Sequence, residues 1–296
     1  MKETLFKGAD MEAKKNLIVL IVLIVILSAI ASFVGINSSE GQGEYQITSI
    51  RDRDVLIYGK GLYQDMSSDV AIQGIAQDYV TFFIAIPLLL LATAFAIKGS
   101  QKAKIYLTGI VAYFFVTYLF YMSMAMFNYL FLVYAALLAL SFYTLIRLLL
   151  SFDIKVLRES YQDEKALKFS ARFLIFNVVM IALLWLSVII PPLLDGRIYP
   201  PELQHYTTLI VQGMDLGLLL PICLISAILL LKKKDLGYIC VPVYSVFLSV
   251  LMTALTAKLI AMGLQGQQII PAIIFIPLFA LISMRNSIAM ISKIQD

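Results

Sequence analysis

Apolar segments of roughly 20 residues recur along the whole chain, and a helix of that length crosses the hydrocarbon core of a bilayer. The segments cover residues 16–36, 79–97, 105–126, 129–150, 172–194, 208–231, 238–263 and 269–292. Of the 296 residues, 61% are hydrophobic and only 14% are charged, which is unlike a soluble domain. The sequence therefore predicts an all-α, polytopic transmembrane bundle of about eight helices that forms a single domain.

Basic residues follow every second predicted helix. They are Lys98, Lys102, Lys104, Lys155, Arg158, Lys165, Lys168, Arg172, Lys232, Lys233, Lys234 and Lys293. The short loops at 127–128 and 264–268 carry no charge. The positive-inside rule then predicts a multi-pass protein of the plasma membrane with both termini in the cytoplasm. A cleaved signal peptide is the alternative for residues 16–36, but that apolar run is long for one.

One long polar loop, residues 37–78, lies on the extracytoplasmic side of this topology. It contains the β-like run 55–58, and Gly59 and Gly61 follow as turn signals. Long loops in compact proteins are often either functional or disordered. We expect a short β-hairpin here that acts as a lid.

Polar residues follow one face of predicted helix six. At steps of three, four and three residues, the chain carries His205, Thr208, Gln212 and Asp215. A carboxylate within an apolar span is costly, so a functional site is the first hypothesis. The alternative is a structural carboxylate that holds a neighbouring helix. Gly213 and Gly217 predict a close approach of such a helix.

Further polar residues are expected near the same depth. Lys258 on helix seven is placed to form an ion pair with Asp215, unless its long side chain reaches the outer headgroups. Asp78 lies at the predicted start of helix two, where a carboxylate caps a helix. Asn128 lies in a tight turn, and turn geometry explains it. The inner half of the bundle is expected to contain almost no polar side chains apart from Asn177.

Tyrosines share the outer half of predicted helix three. Tyr113, Tyr118 and Tyr121 either line a pocket shared with Asp215 or belong to the core, and the deep ones need hydrogen-bond partners within the bundle.

A weak internal repeat links helices two and six. Pro87 precedes Lys98 by the same number of residues as Pro221 precedes Lys232. Two parallel four-helix halves, related by an axis along the membrane normal, would explain this spacing; chance is the alternative.

Several classes of function lack their motifs. The sequence has no P-loop, no glycine-rich dinucleotide turn and no His-Glu-x-x-His, which makes an enzyme less favoured. One histidine and two cysteines predict no metal site, no cofactor and no disulfide framework. No basic stripe with interleaved aromatics indicates nucleic-acid binding, so the expected partners are membrane lipids and a small-molecule ligand.

Three segments resemble patterns in a group of prokaryotic polytopic membrane proteins that have no assigned function. They are GIAQDYVT at 74–81, FNYLFLVY at 127–134 and DLGL at 215–218. The resemblance implies a recurring scaffold and supplies no activity.

The leading hypothesis is a transporter or receptor-like protein with an outward-facing pocket for a small polar or amphipathic ligand, in which Asp215 binds a cation or proton. One alternative is an intramembrane enzyme that acts on a lipid or isoprenoid. Another is a membrane scaffold or assembly factor, in which the buried polar groups only hold helices together.

Overall fold

The computed structural model describes residues 2–161, 164–197 and 199–294, with only the backbone for residues 2–11 and 13. Within these ranges, eight helices are long and apolar enough to cross a membrane. They are α1 (Lys2–Asn37, with the span at Lys14–Asn37), α2 (Ser68–Ala96), α3 (Gln101–Met124), α4 (Phe131–Leu150), α5 (Glu164–Leu194), α6 (Ile210–Leu231), α7 (Gly237–Leu264) and α8 (Ala272–Ile291). The predicted fold class is confirmed, and the chain is a multi-pass integral membrane protein.

The helix starts differ from the predicted ones. α2 begins at Ser68 instead of residue 79, and α5 begins at Glu164 instead of residue 172. α6 begins later than predicted, at Ile210 instead of residue 208. Hydropathy marks only the membrane-embedded part of a helix, so polar helical turns outside the membrane resemble loops. The loop before α2 is therefore shorter than the predicted 37–78.

The predicted hairpin is present between α1 and α2, and we call the side that carries it the outer side. Strands β1 (Tyr45–Thr48) and β2 (Asp54–Ile57) pair antiparallel, with Tyr45 opposite Ile57 and Thr48 opposite Asp54. Val55 and Ile57 are buried whereas their neighbours in β2 are exposed, as expected when one face of a hairpin packs on the protein.

Hydrogen bonds join this loop to the other outer loops. The carboxylate of Asp69, in the first turn of α2, accepts hydrogen bonds from Gln204 at 3.2 Å and from Gln267 at 2.6 Å. The backbone amide of Ser67 donates to the hydroxyl of Tyr206 at 3.3 Å. The hairpin loop, the loop before α6 and the loop before α8 thus form one continuous outer cover.

The helices pack as two similar groups of four. In the first half α1 contacts α2 and α4, and α3 contacts the same two helices. In the second half α5 contacts α6 and α8, and α7 contacts the same two helices. The packing order is the same in both halves, as a duplication of four helices requires.

Helices α3 and α7 form the centre of the bundle, where they contact each other. Gly109 of α3 makes this contact close, because an added Cβ would lie 2.5 Å from the Cβ of Val246 and 2.8 Å from the carbonyl oxygen of Val243. α7 also packs along α2, whereas α3 meets only the beginning of α6. The contact between the halves is therefore asymmetric.

The expected close approach at Gly213 and Gly217 is wrong. An added Cβ at either glycine would meet no heavy atom of the described chain within 4 Å. Both glycines lie on an exposed face of α6, so they accommodate no neighbouring helix of this chain.

We expect Gly109→Ala to lower the free energy of unfolding by about 1–3 kcal/mol, because the added methyl group overpacks the contact between α3 and α7. The matched control is Gly213→Ala, which should be neutral or stabilising by up to about 1 kcal/mol through helix propensity. Thermal unfolding of the purified proteins in one detergent measures both. Equal losses in the two variants would contradict the close α3–α7 contact.

Candidate functional site

Two helices carry the same local distortion. α2 contains a π turn at Thr81–Ala85 and α6 contains one at Asp215–Leu219, and in both cases a proline follows after one further residue, Pro87 or Pro221. Proline lacks an amide proton and its ring clashes with the carbonyl four residues earlier, so a widened turn relieves the clash. Such π turns are frequent at functional sites.

The distortions align the polar residues of the two helices. Counted back from the proline, Asp78 occupies the same position as Gln212, and Thr81 the same position as Asp215. Each helix therefore has two polar positions one turn apart, and one of them holds a carboxylate. The repeat that the sequence indicated only weakly thus extends to backbone geometry.

Asp78 lies inside α2, where 2% of the residue is exposed. Its carboxylate accepts a hydrogen bond of 2.5 Å from Tyr63 in the outer cover and one of 3.0 Å from Tyr121 on α3. On α1, Gly35 leaves the necessary space, because an added Cβ there would lie 1.8 Å from the carboxylate. The prediction of a cap at the helix start is wrong, because α2 begins ten residues earlier, at Ser68.

The two tyrosines differ in how firmly they bind this carboxylate. Burial, followed by the charge of Asp78, raises the pKa of Tyr63 well above its usual range, so its hydroxyl remains a donor at physiological pH. The hydroxyl of Tyr121 also lies 3.1 Å from the carbonyl oxygen of Gly74, and its single proton serves one acceptor at a time.

A row of hydrogen-bonded polar side chains continues inward between α2 and α3. The side-chain amide of Gln77 donates to Tyr113 at 2.7 Å and to Thr117 at 3.2 Å, and the hydroxyls of Thr81 and Tyr113 lie 3.0 Å apart. Tyr118 is buried and stacks on Tyr134. The predicted partners of Tyr113 and Tyr121 are therefore found on α2, around Asp78, and not on α6.

Asp215 is the first residue of the π turn in α6 and is half-buried. One carboxylate oxygen accepts a hydrogen bond of 2.8 Å from the indole nitrogen of Trp185 on α5. Sequence reasoning singled out none of Trp185, Tyr63 and Gly35. The only available signal was that Trp185 is the single tryptophan of the chain and lies within an apolar span.

Lys258 is half-buried on α7, which packs against α2 and α6, and it lies within range of the charges of both Asp78 and Asp215. Within the described residues no ion pair or hydrogen bond joins the lysine to either carboxylate, so the expected direct pair with Asp215 is not formed. Asp78, Asp215 and Lys258, which we call the charged triad, come from three helices.

The other predicted site residues lie outside the triad. His205 precedes α6, so it shares no helical face with Asp215; its Nε2 lies 3.1 Å from the carbonyl oxygen of Asp65. Asn128 stabilises its own turn, since its side-chain oxygen accepts from the amide of Leu130 at 2.9 Å. Gln212 lies one turn before Asp215 on α6.

The inner half contains more polar side chains than predicted. Ser170 and Asn177 on α5 and Ser283 and Asn286 on α8 are all buried. Each carries a polar atom without a hydrogen-bond partner in the described part of the chain. The expectation that Asn177 stands alone there is wrong.

Comparison with family models, curated proteins and solved structures finds no match for this chain. Among residues 2–161, 164–197 and 199–294, no three His, Cys, Asp or Glu side chains form a group that could hold a metal ion.

We expect Lys258→Met to lower the free energy of unfolding by up to about 3 kcal/mol, because two carboxylates inside the bundle lose the one cation within range among the described residues. Adding Asp78→Asn or Asp215→Asn should restore part of the loss, and the better rescue identifies the closer partner. Thermal unfolding measures the series, with Lys232→Met at an exposed position as control. If neither second substitution helps, the lysine does not compensate the carboxylates.

Proposed function

We propose that this chain is a transporter or receptor-like protein of the plasma membrane, and that a proton, a cation or a small polar ligand binds within its charged triad. One observation carries the proposal. Lys258 lies on α7, which packs against both α2 and α6, and one carboxylate on each of these helices is within range of its charge, although none of the described contacts pairs it with either. Purely structural ion pairs bring their charged groups into direct contact, because only then does their attraction offset desolvation.

The charge balance supports uptake of one positive charge. With all three groups ionised the triad carries a net charge of about −1, and an uncompensated charge in the membrane interior is costly. The groups around Asp78 are neutral donors, Tyr63 and Tyr121, with Tyr113, Tyr118 and Tyr134 in range of its charge. Asp215 has Trp185 as its neutral donor. One proton or one monovalent cation would neutralise the site.

The helix distortions support a site that changes shape. Both carboxylates lie beside a π turn followed by a proline, where the regular hydrogen bonds of the helix are interrupted. In many transporters, substrate and ion sites are formed by helices with broken backbone bonding near the bilayer midplane. A scaffold has no need to place two such distortions beside its charged groups.

We expect the wild-type protein to gain thermal stability when it is offered protons, by lowering the pH, or a monovalent cation such as Na⁺. A ligand at 100 times its Kd stabilises the folded state by about 2.7 kcal/mol. Asp78→Asn and Asp215→Asn should each remove most of the response, because each removes the negative charge that attracts the cation. Unfolding in nanodiscs, over a pH series and a salt series, measures the effect.

The control is Asp52→Asn, at an exposed turn of the hairpin where Asn also tolerates the observed positive φ of 54°. This variant should respond as the wild type does. A wild-type protein that responds to neither protons nor cations, with Asp→Asn variants that change stability alone, would contradict the proposal and favour a scaffold.

We also expect water to reach the side chain of Asp215 from outside. In a protein with Cys223→Ser and Cys240→Ser, single cysteines replace Gln212, Asp215 or Leu219 in turn. An impermeant thiol reagent on intact cells should label positions 212 and 215, which are partly exposed, and spare position 219, which is 6% exposed. Protection of all three positions would mean that water does not enter from the outer side.

A further inference from the structure

A pocket of about 280 Å³ lies at the outer ends of α3 and α4, next to the segment that precedes α6. Its wall includes Tyr121 and Met122 of α3, Phe131 and Tyr134 of α4, and His205 and Tyr206 before α6. Its volume is close to the lower end of the range of small-molecule sites. It lies where α3 and α6 scarcely touch, at the open side of the boundary between the two halves.

Two polar atoms in the wall of this pocket lack partners. Tyr134 is 2% exposed, and its hydroxyl lies near Tyr63 and Asn128 but completes a well-oriented hydrogen bond with no described atom. Nδ1 of His205 is likewise buried without a partner. Leaving a buried donor or acceptor unsatisfied is costly, so two such atoms in one wall indicate a missing polar partner.

The two unpartnered atoms determine which hydrogen-bonding groups a ligand must carry. Nε2 of His205 lies 3.1 Å from the carbonyl oxygen of Asp65, which can only accept, so this nitrogen carries the proton of the neutral ring. Nδ1 is then an acceptor, whereas the hydroxyl of Tyr134 is free to donate. A hydroxyl group both donates and accepts, but an ether or a carboxylate only accepts.

The rest of the wall is apolar and adaptable. Met122, Met124 and Met126 line it at the outer end of α3, and Phe127 and Phe131 pack against each other in a tilted arrangement with a ring-centroid distance of 5.3 Å. Unbranched methionine side chains adjust to ligands of irregular shape. Phe127 is largely exposed, so an apolar chain can leave the pocket along the outer surface.

We propose that this pocket binds an amphipathic alcohol, with its hydroxyl between Tyr134 and His205 and its hydrocarbon chain against the methionines and phenylalanines. This inference rests on the proposed function, because it gives the transporter or receptor-like protein a class of ligand. Tyr121 lies in the same wall, packs on Tyr134 with a centroid distance of 5.4 Å, and donates to Asp78. A bound alcohol therefore contacts the residues that hold one carboxylate of the charged triad.

Photolabelling of the full-length protein in nanodiscs tests the proposal. The probes are a diazirine-bearing decanol, its methyl ether and the corresponding decanoate, and mass spectrometry locates the labelled residues. We expect the alcohol to label the stretch from Met122 to Phe131. Tyr134→Phe and His205→Leu should each reduce labelling by about five- to tenfold, the effect of losing one hydrogen bond.

The matched control is Tyr143→Phe, because Tyr143 lies on the same helix but is 65% exposed. It should label as the wild type does. Equal labelling by alcohol and ether, unaffected by either pocket variant, would overturn the proposal in favour of lipid partitioning, and preferential labelling by decanoate would overturn the alcohol as ligand.

The two proposals fail separately. If alcohol labelling is absent while Asp78 and Asp215 still confer a cation or proton response, only the pocket proposal is wrong. If labelling persists without that response, the pocket stands and the proposed function is wrong.

Discussion

The hydrogen bond between Tyr63 and Asp78 determines how the outer half of this protein is assembled. An ionised carboxylate inside a bundle must find donors, since the cost of leaving it unsatisfied exceeds that of most packing errors. Here one donor comes from the outer cover and the other from Tyr121 on α3, while Gly35 on α1 leaves the space. One side chain thus fixes the relative positions of three helices and a loop, and Lys258 on a fourth helix lies within range of its charge.

The membrane spans could be predicted from the sequence because the bilayer permits few alternatives. A backbone that crosses hydrocarbon must satisfy its own hydrogen bonds, so a long apolar run can scarcely be anything but a helix. The hairpin was predictable for a similar reason, since alternating apolar residues bounded by glycines favour a strand and a turn. Polar helical turns beyond the membrane left no such signal, and for that reason the start of α2 at Ser68 was missed.

The candidate site could be predicted only in part. Asp215 and Lys258 were found because charged residues are rare within apolar spans. The role of Asp78 depended on the start of its helix, and its contact with Tyr63 depends on how the outer loop folds back. Trp185 is apolar by most hydropathy scales, and nothing local predicts its bond to Asp215. Such contacts between distant segments depend on how the helices pack, and the periodicity of a single helix does not predict that packing.

The two halves show how a repeated framework comes to hold a single site. Their helices pack in the same order, and their π turns stand at the same distance from a proline. The carboxylate, however, stands one turn further from the proline in α2 than in α6. With α7 packed along α2 and no equivalent packing of α3 along α6, the two acids come within range of the charge of one lysine instead of forming two separate sites.

The π turn in α2 also limits how the site can move. A π turn contains one residue more than a regular turn, and it can migrate along a helix without unfolding it. Every side chain that it passes rotates by about 100° around the helix axis. Asp78 lies three residues before the turn that begins at Thr81. Migration of the turn past Asp78 would swing the carboxylate away from Tyr63 and Tyr121 in a single discrete step, so α2 would behave as a two-position rotary switch.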